Sequence, residues 1–163
     1  MRYQMKQKWL ALGDDYVIRD AAGQQAFFVD GRVFSWGNKL SMQDNAGREV
    51  AFIQQKLLSW GPTYELYRNG SLFAVMKKQL FTLFKARFMI DVPGPDDYEA
   101  EGDFLNLEYI INRTGRTVAR ISKTFFSWTD TYGIDIVDGE DDITILAACV
   151  VIDLCMHPDH KRE

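Results

Sequence analysis

Apolar and polar residues follow two different patterns along this chain of 163 residues. Over the first 137 residues, short apolar segments that partly alternate with polar residues are separated by turn signals such as Asp30-Gly31 and Asn69-Gly70. Such pairs supply the positive φ that tight hairpins need. Because they recur at intervals of about 8–12 residues, the segments predict about eleven strands in an antiparallel sandwich or barrel.

Two parts of this strand region are less regular. The Phe-rich segment Gln79–Val92 alternates only after Lys85, so its first half is either strand or a helical turn. The segment Pro93–Asp103, with the sequence PGPDDYEAEGD, is rich in proline, glycine and carboxylates, and it predicts one long polar loop.

A different pattern starts at Asp141 and ends at Pro158. The fourteen residues from Ile143 to Met156 include only two polar ones, Thr144 and Asp153, and about 100° per residue places these on opposite sides of a helix. A helix without a polar face must be surrounded by lipid or by protein. Fourteen residues rise only about 21 Å, against about 30 Å for the hydrocarbon core of a bilayer, so protein is the better surrounding.

The predicted helix is therefore the centre of the fold, with the strands wrapped around it. β-branched residues in the run leave a buried strand as the alternative, but its length, the preceding Glu140–Asp142 and the following Pro158 favour a helix. A helix can fill a closed barrel, whose interior is lined by every second strand side chain. Residues 1–156 are expected to form this single domain, and residues 157–163 a polar tail.

An internal repeat fits a barrel built from two similar halves. The segment Ile53–Trp60 followed by Tyr64 resembles Ile121–Trp128 followed by Tyr132, with the same spacing of Ile, Ser-Trp and Tyr. The offset is about 68 residues, and chance similarity between strand segments is the alternative.

Charge is distributed unevenly, although the net charge of −4 indicates no overall attraction to nucleic acid or to an anionic membrane. Residues 66–90 contain five basic and no acidic side chains, whereas residues 91–142 contain thirteen acidic and four basic ones. Four of the basic residues can gather on one barrel edge and contact anionic lipid head groups; they are Lys77, Lys78, Lys85 and Arg87. The alternative is that solvated strand faces differ in sign.

The sequence offers little for catalysis, so we expect a protein that is not an enzyme. Cys149 and Cys155 are in the apolar run, and His157 and His160 are in the tail, away from any candidate nucleophile. The metal-ligand spacings CxxC and HExxH are absent, as is a glycine loop for phosphate, so neither metal nor cofactor is expected. The acidic segment 96–103 lacks the regular pattern of a calcium loop.

Other polar and aromatic residues have structural interpretations. Asp153 is expected to reach water at the barrel mouth, because unpaired burial is costly; pairing inside with a cation or an indole N–H is the alternative. The tryptophans are expected to pack in the core or at the barrel rim, rather than to stack on bases or sugars; they are Trp9, Trp36, Trp60 and Trp128.

Compartment is inferred from the cysteines and from the N-terminus. Cys149 and Cys155 cannot bridge when they are six residues apart on one helix, and buried free thiols suit a reducing compartment. The first residues contain no apolar stretch long enough for a secretory signal. We therefore expect a cytoplasmic protein without a transmembrane span, peripheral to a membrane if its basic edge binds lipid.

Several stretches together resemble the LURP-one-related family. They cover about Met5 to Met156 and include VDGRVFSWGNKLSMQDNAGREVAFIQQKLLSWGPTYELYRNG, EGDFLNLEYII, VARISKTFFSWTDTYGIDI and GEDDITILAACVVIDLCM. That family shares the Tubby C-terminal-like fold, and phospholipid scramblases are similar in predicted fold. The resemblance implies a mainly β protein, a closed antiparallel barrel of about twelve strands around a central hydrophobic C-terminal helix.

None of the matching stretches is a catalytic motif, so the first functional hypothesis is a non-enzymatic binding or scaffold protein. Tubby proteins bind phosphoinositide head groups through basic side chains, but their lipid-binding motif does not match this sequence residue by residue. The second hypothesis is a peripheral module that binds phospholipid or phosphoinositide through the basic edge. The partner is therefore either an anionic phospholipid or a protein.

Overall fold

The computed structural model describes residues 1–8, 15–31, 37–82, 85–123 and 131–157. In these residues the chain forms twelve strands followed by one helix, α1 (Asp142–Met156). The strands are β1 (Arg2–Lys8), β2 (Asp15–Asp20), β3 (Gln25–Gly31), β4 (Lys39–Asp44), β5 (Glu49–Gln55), β6 (Thr63–Arg68), β7 (Ser71–Thr82), β8 (Lys85–Asp91), β9 (Tyr98–Asp103), β10 (Glu108–Arg113), β11 (Arg116–Ser122) and β12 (Thr131–Ile136). The predicted strand Val33–Trp36 lies entirely on residues outside this description.

Each strand pairs antiparallel with its neighbours in sequence, and β1 pairs with β12, so the sheet closes on itself. This confirms the predicted fold, a mainly β closed antiparallel barrel of about twelve strands around a C-terminal helix. Closure removes the free edges through which open sheets associate. Because consecutive strands run in opposite directions, their connections alternate between the two ends of the barrel.

The two ends differ in their connections. We call one the loop end; there β1 joins β2, β3 joins β4, and so on to β11 and β12. The other is the turn end, where connections include tight turns with positive φ at Asn69-Gly70 and Thr114-Gly115. Since β12 finishes at the turn end, α1 begins there and passes through the barrel toward the loop end.

The core lies between the inner face of the barrel and α1. Strand residues alternate between buried and more exposed positions, as in β12, where Tyr132, Ile134 and Ile136 are buried and the residues between them are half-buried. The helix is buried continuously from Thr144 to Leu154. The absence of a polar helix face is thus explained by enclosure, as predicted.

Strand β9 was not expected, because Pro93–Asp103 was predicted to be a loop. Strand β9 is polar only on its outward face. Tyr98 and Ala100 are buried on the inward face, while Glu99 and Glu101 lie next to Arg87 of β8. A six-residue strand with two outward carboxylates and a glycine resembles a loop in composition. The β8–β9 connection is limited to residues 92–97.

The ambiguous start of the Phe-rich segment is strand. Gln79–Thr82 continues β7, which is twelve residues long, and β8 begins at Lys85. The alternative of a helical turn at this position is therefore wrong. The length of β7 extends the barrel wall at the loop end beyond β6, whose first residue, Thr63, pairs with Lys77 in the middle of β7.

The sequence repeat coincides with a structural repeat. Ile53 and Ile121 are buried in β5 and β11, and Tyr64 and Tyr132 are buried in β6 and β12. Both pairs of strands are joined at the loop end and are six strands apart in a barrel of twelve. The two halves of the barrel therefore place equivalent residues on opposite sides of α1.

The helix is fixed at its first turn by Asp141. The Asp141 carboxylate accepts hydrogen bonds from the Thr144 backbone N–H at 3.3 Å and from the Thr144 hydroxyl at 2.8 Å. Arg68, the last residue of β6, donates to the same carboxylate at 2.9 Å. Burial alone would raise the pKa of Asp141, but the hydrogen bonds from Thr144 and Arg68 lower it below its ordinary value. The residue thus caps the helix and ties it to the wall.

The enclosure of α1 predicts different outcomes for one substitution at two positions. Val150 in α1 is 0% exposed, whereas Val137, just after β12, is 53% exposed. We expect Val150→Asp to prevent folding, because an unpaired carboxylate in this core costs several kcal/mol. Val137→Asp should unfold cooperatively near the melting temperature of the unsubstituted chain. Thermal unfolding followed by circular dichroism compares the two, and a stable Val150→Asp variant would contradict enclosure.

Candidate functional site

Lysine residues are concentrated at the loop end. Eight of the nine lysines belong to the described residues, and each lies in the half of its strand toward the loop end or just after it. They are Lys6, Lys8, Lys39, Lys56, Lys77, Lys78, Lys85 and Lys123. Lys56 and Lys123, for example, directly follow β5 and β11, and both are exposed. The lysines thus surround one end of the barrel.

The four residues predicted to bind lipid lie on the paired strands β7 and β8, but they differ in orientation and in partners. Lys77 and Lys78 are consecutive in β7 and therefore point to opposite faces of the wall. Lys77 is exposed, whereas Lys78 is half-buried and pairs with the buried Phe88 of β8. Lys85 begins β8 at the loop end, but its side chain is outside the described part of the structure.

Arg87 differs from the three lysines because its charge is balanced within the barrel wall. Its Nε lies 2.6 Å from Glu99 Oε1, and its Nη2 lies 3.7 Å from Glu101 Oε2. The side chain lines an outer groove of about 740 Å³ that also includes Glu108 and Arg120. Arg87 is therefore part of a salt-bridged outer wall and is not a free cation at the loop end.

Carboxylates, in contrast, are frequent at the turn end. Among the described residues they include Asp44, Asp91, Asp96, Asp97, Asp138, Glu140, Asp141 and Asp142. Several arginines at that end are paired with them, as for Arg48 with Asp44 at 2.7 Å and Arg113 with Glu140 at 3.1 Å. The barrel consequently has a lysine-rich end and a carboxylate-rich end.

Some carboxylates also lie at the loop end, where they have structural partners. Asp15 accepts a hydrogen bond from the Gly31 N–H at 3.0 Å, and Asp103 accepts one from the Asn106 N–H at 3.1 Å. Glu108 accepts one from the Lys123 N–H at 2.9 Å. These side chains hold the connections of the loop end in place.

Apolar side chains are exposed among the lysines. Leu57, Leu58 and Trp60 are 58%, 95% and 105% exposed in the β5–β6 connection, and Leu105 is 64% exposed in the β9–β10 connection. Trp60 was predicted to pack in the core or rim, and that prediction is wrong. The other three tryptophans lie outside the described residues. Nearly complete exposure of adjacent Leu and Trp side chains is uncommon on a protein without a partner surface.

The β5–β6 connection holds these side chains on a hydrogen-bonded framework. The Lys56 N–H donates to the Thr63 carbonyl at 2.8 Å, and the Lys78 N–H donates to the Pro62 carbonyl at 3.1 Å. The Ser59 hydroxyl lies 3.1 Å from the Lys56 carbonyl and 2.9 Å from the Gly61 carbonyl. These hydrogen bonds fix the course of the loop backbone, while the side chains of Leu58 and Trp60 are exposed to solvent.

A buried polar cluster lies beneath this end, around the last turns of α1. Asp153 is 6% exposed, so its expected position in water at the barrel mouth is wrong. Its Oδ2 accepts a hydrogen bond from the Tyr16 hydroxyl at 2.8 Å, and its Oδ1 lies 3.3 Å from His157 Nδ1. The carboxylate tolerates burial because two polar partners replace water.

His157 links this cluster to a connection of the loop end. The nearby Asp153 carboxylate raises the pKa of His157, despite partial burial that lowers it, and the Leu105 backbone carbonyl contributes to the increase. The imidazole thus joins the C-terminus of α1 to the β9–β10 connection. Asp153 and His157 are four residues apart, so they lie one turn apart on the same side of the helix, and His157 is its C-cap.

Comparison with known proteins agrees with this architecture. The family model described as LURP-one-related matches residues 1–153. The chain belongs to the LURP-one-related family. A relative in Bacillus subtilis (strain 168), the uncharacterized protein YxjI, is 32% identical over 159 residues, which are 98% of this chain and 96% of the relative.

The fold of this LURP-one-related protein also matches a solved plant structure. The X-ray structure of a protein from Arabidopsis thaliana superposes with a TM-score of 0.70 and 16% identity, covering 93% of this chain and 90% of the plant chain. At that identity the match concerns the fold. The structure and the comparisons together therefore identify the family and the barrel, while the chemistry must be argued from the residues.

The Cys149 thiol of this LURP-one-related protein is buried in α1. Burial raises the pKa of the Cys149 thiol to about 12, so the reactive thiolate is scarce at neutral pH. No three His, Cys, Asp or Glu side chains among the described residues are grouped as a metal ion would need. In the same residues, no helix is long and apolar enough to cross a membrane. His160 lies outside the described residues.

Most of the loop-end residues were not singled out from the sequence. Lys39, Lys56 and Lys123 are far apart in sequence and none has a basic neighbour, so no local charge run marks them. The signal that could have found them is connectivity, because alternate connections of an up-and-down barrel meet at one end. Applied to the strands of the structure, that rule places all of these lysines at one end. Applied to the predicted strands it does not, because the additional predicted strand Val33–Trp36 reverses the alternation before Lys39.

The His157–Asp153 pair predicts a pH dependence of stability. A folded-state pKa above the unfolded value of 6.5 means that the stabilisation is complete below that value and is lost as pH rises through the folded pKa. We therefore expect the free energy of unfolding to fall as pH increases over that window. His157→Gln should remove this slope, which urea unfolding between about pH 5 and pH 9 would measure. Identical slopes for both proteins would contradict the pairing.

Proposed function

We propose that this LURP-one-related protein is a non-enzymatic binding module that attaches peripherally to anionic phospholipid surfaces through its loop end. The observation that supports this most strongly is the position of the eight described lysines around that end, while carboxylates concentrate at the other. A broader role as a scaffold for a protein partner is the second candidate, supported by the apolar side chains exposed among the lysines.

Lysine is suited to such a surface. Its flexible stem and compact charge contact head groups without requiring one geometry, and each basic residue near an anionic membrane contributes about 1 kcal/mol. The exposed lysines Lys56, Lys77 and Lys123 come from connections and strands around the barrel rather than from one segment. A broad, flat membrane can contact all of them at once.

The proposal revises which residues bind. Lys77, Lys78 and Lys85 belong to the loop end, but Arg87 is engaged with Glu99 and Glu101 and is assigned to the wall. A non-enzymatic role is supported by the buried Cys149 thiol and by the structural use of Asp153 and Tyr16 in a mutual hydrogen bond. These groups stabilise the core near the loop end.

Charge removal at the two ends tests the proposal. The triple variant Lys56→Gln, Lys77→Gln, Lys123→Gln removes three exposed positive charges from the loop end. At about 1 kcal/mol per lysine, its affinity for vesicles of phosphatidylcholine with phosphatidylserine should fall roughly a hundredfold at low salt. Co-sedimentation with vesicles at low and physiological salt measures the change.

A matched control removes the same charge from the turn end. The variant Arg19→Gln, Arg48→Gln, Arg116→Gln has an identical net charge, and all three arginines are exposed. It should bind the anionic vesicles as the unsubstituted chain does. Equal losses in both variants would indicate a general charge effect, and no binding of the unsubstituted chain to any vesicle would favour the scaffold role.

A further inference from the structure

We propose that the loop end inserts apolar side chains into the membrane, with Leu58, Trp60 and Leu105 entering the layer beneath the head groups. This inference rests on the proposed function and deepens it. Because α1 runs from the turn end to the loop end, insertion would set the helix axis roughly along the membrane normal. The carboxylate-rich turn end would then face away from the lipid.

The exposure of these residues is the first argument. Leu58 is 95% and Trp60 is 105% exposed. In contrast, every large apolar residue of α1 from Ile145 to Leu154 is buried in the core. Exposed Leu and Trp side chains gain free energy when apolar surface leaves water. Tryptophan in particular favours the boundary between head groups and acyl chains, where its ring is apolar and its N–H remains hydrated.

The framework of the β5–β6 connection is the second argument. Its ends are joined by the hydrogen bond from the Lys56 N–H to the Thr63 carbonyl, and Ser59 bridges the loop internally. Gly61 adopts a positive φ of 78°, which lets the loop turn back. The apolar side chains are therefore presented without a folding step, so little conformational entropy is lost on binding.

The choice of a membrane as the occupant follows from charge complementarity. Lys56 and Lys78 flank the loop directly, the first at its start and the second through the bond to Pro62. We call the exposed apolar side chains of the β5–β6 connection the apolar tip. Lysines around this tip can contact the phosphate layer of an anionic bilayer while the tip reaches the hydrocarbon beneath it.

The first test removes one apolar side chain at each end. Leu58→Ser at the loop end should lower the partition onto phosphatidylserine-containing vesicles about tenfold at physiological salt. Leu72→Ser is the matched control, since Leu72 is 49% exposed at the start of β7, on the turn end. It should leave partition unchanged. Leu57 is less suitable, because its Cδ2 would lie 2.8 Å from a Cβ at Gly37, so it packs against the neighbouring connection.

The second test measures depth directly. An environment-sensitive fluorophore is attached to Leu58→Cys or to Leu72→Cys in a Cys155→Ser background, because Cys149 is buried and Cys155 is only half-buried. On binding vesicles, the label at position 58 should shift to shorter wavelength and be quenched by lipids brominated on their acyl chains. The label at position 72 should show neither change.

The outcomes separate this inference from the proposed function. Binding that depends on the lysines, without quenching at position 58 and without a loss in Leu58→Ser, would overturn insertion and leave electrostatic attachment intact. No binding by the unsubstituted chain would overturn both. If Leu58→Ser instead abolished self-association in sedimentation without vesicles, the apolar tip would be an interface between copies of the chain, which also overturns insertion.

Discussion

The enclosure of a helix that has no polar face is the constraint on which the rest of the structure depends. An apolar α1 cannot remain in water, and twelve strands supply the inner surface that covers it from Thr144 to Leu154. Polar contacts occur mainly where the helix meets the two ends of the barrel. At the turn end Asp141 binds Thr144 and Arg68, and near the loop end Asp153 binds Tyr16. These contacts fix the depth and direction of the helix within the barrel.

The fold was largely predictable because its strongest signals are local. The apolar run identified α1, and turn pairs such as Asn69-Gly70 identified hairpins without knowledge of distant contacts. Strand β9 was missed because its outward residues, Glu99 and Glu101, make its composition that of a loop. Both carboxylates pair with Arg87 on the neighbouring strand β8, and these ion pairs stabilise the segment as a strand of the sheet. Such a contact between strands cannot be deduced from one segment alone.

The candidate site was less predictable because it is assembled by topology. Neighbouring Lys77 and Lys78 project to different faces, and Arg87 is paired with β9, so the charge run in the sequence does not by itself define the loop-end surface. Lys56 and Lys123 lie at the same end although they are distant in sequence, because β5 and β11 both finish there. Asp153 was misplaced for a related reason: its partner Tyr16 belongs to the second strand.

The opposite placement of lysines and carboxylates gives the barrel a permanent charge dipole along α1. Near a negatively charged surface, such a dipole experiences a torque that turns the positive end forward before any contact forms, within about 10 Å at moderate ionic strength. Orientation of this kind increases the fraction of encounters in which the correct end arrives first. A chain with an overall charge of −4 can therefore approach an anionic surface productively, since the field near that surface acts on the end that faces it rather than on the total charge.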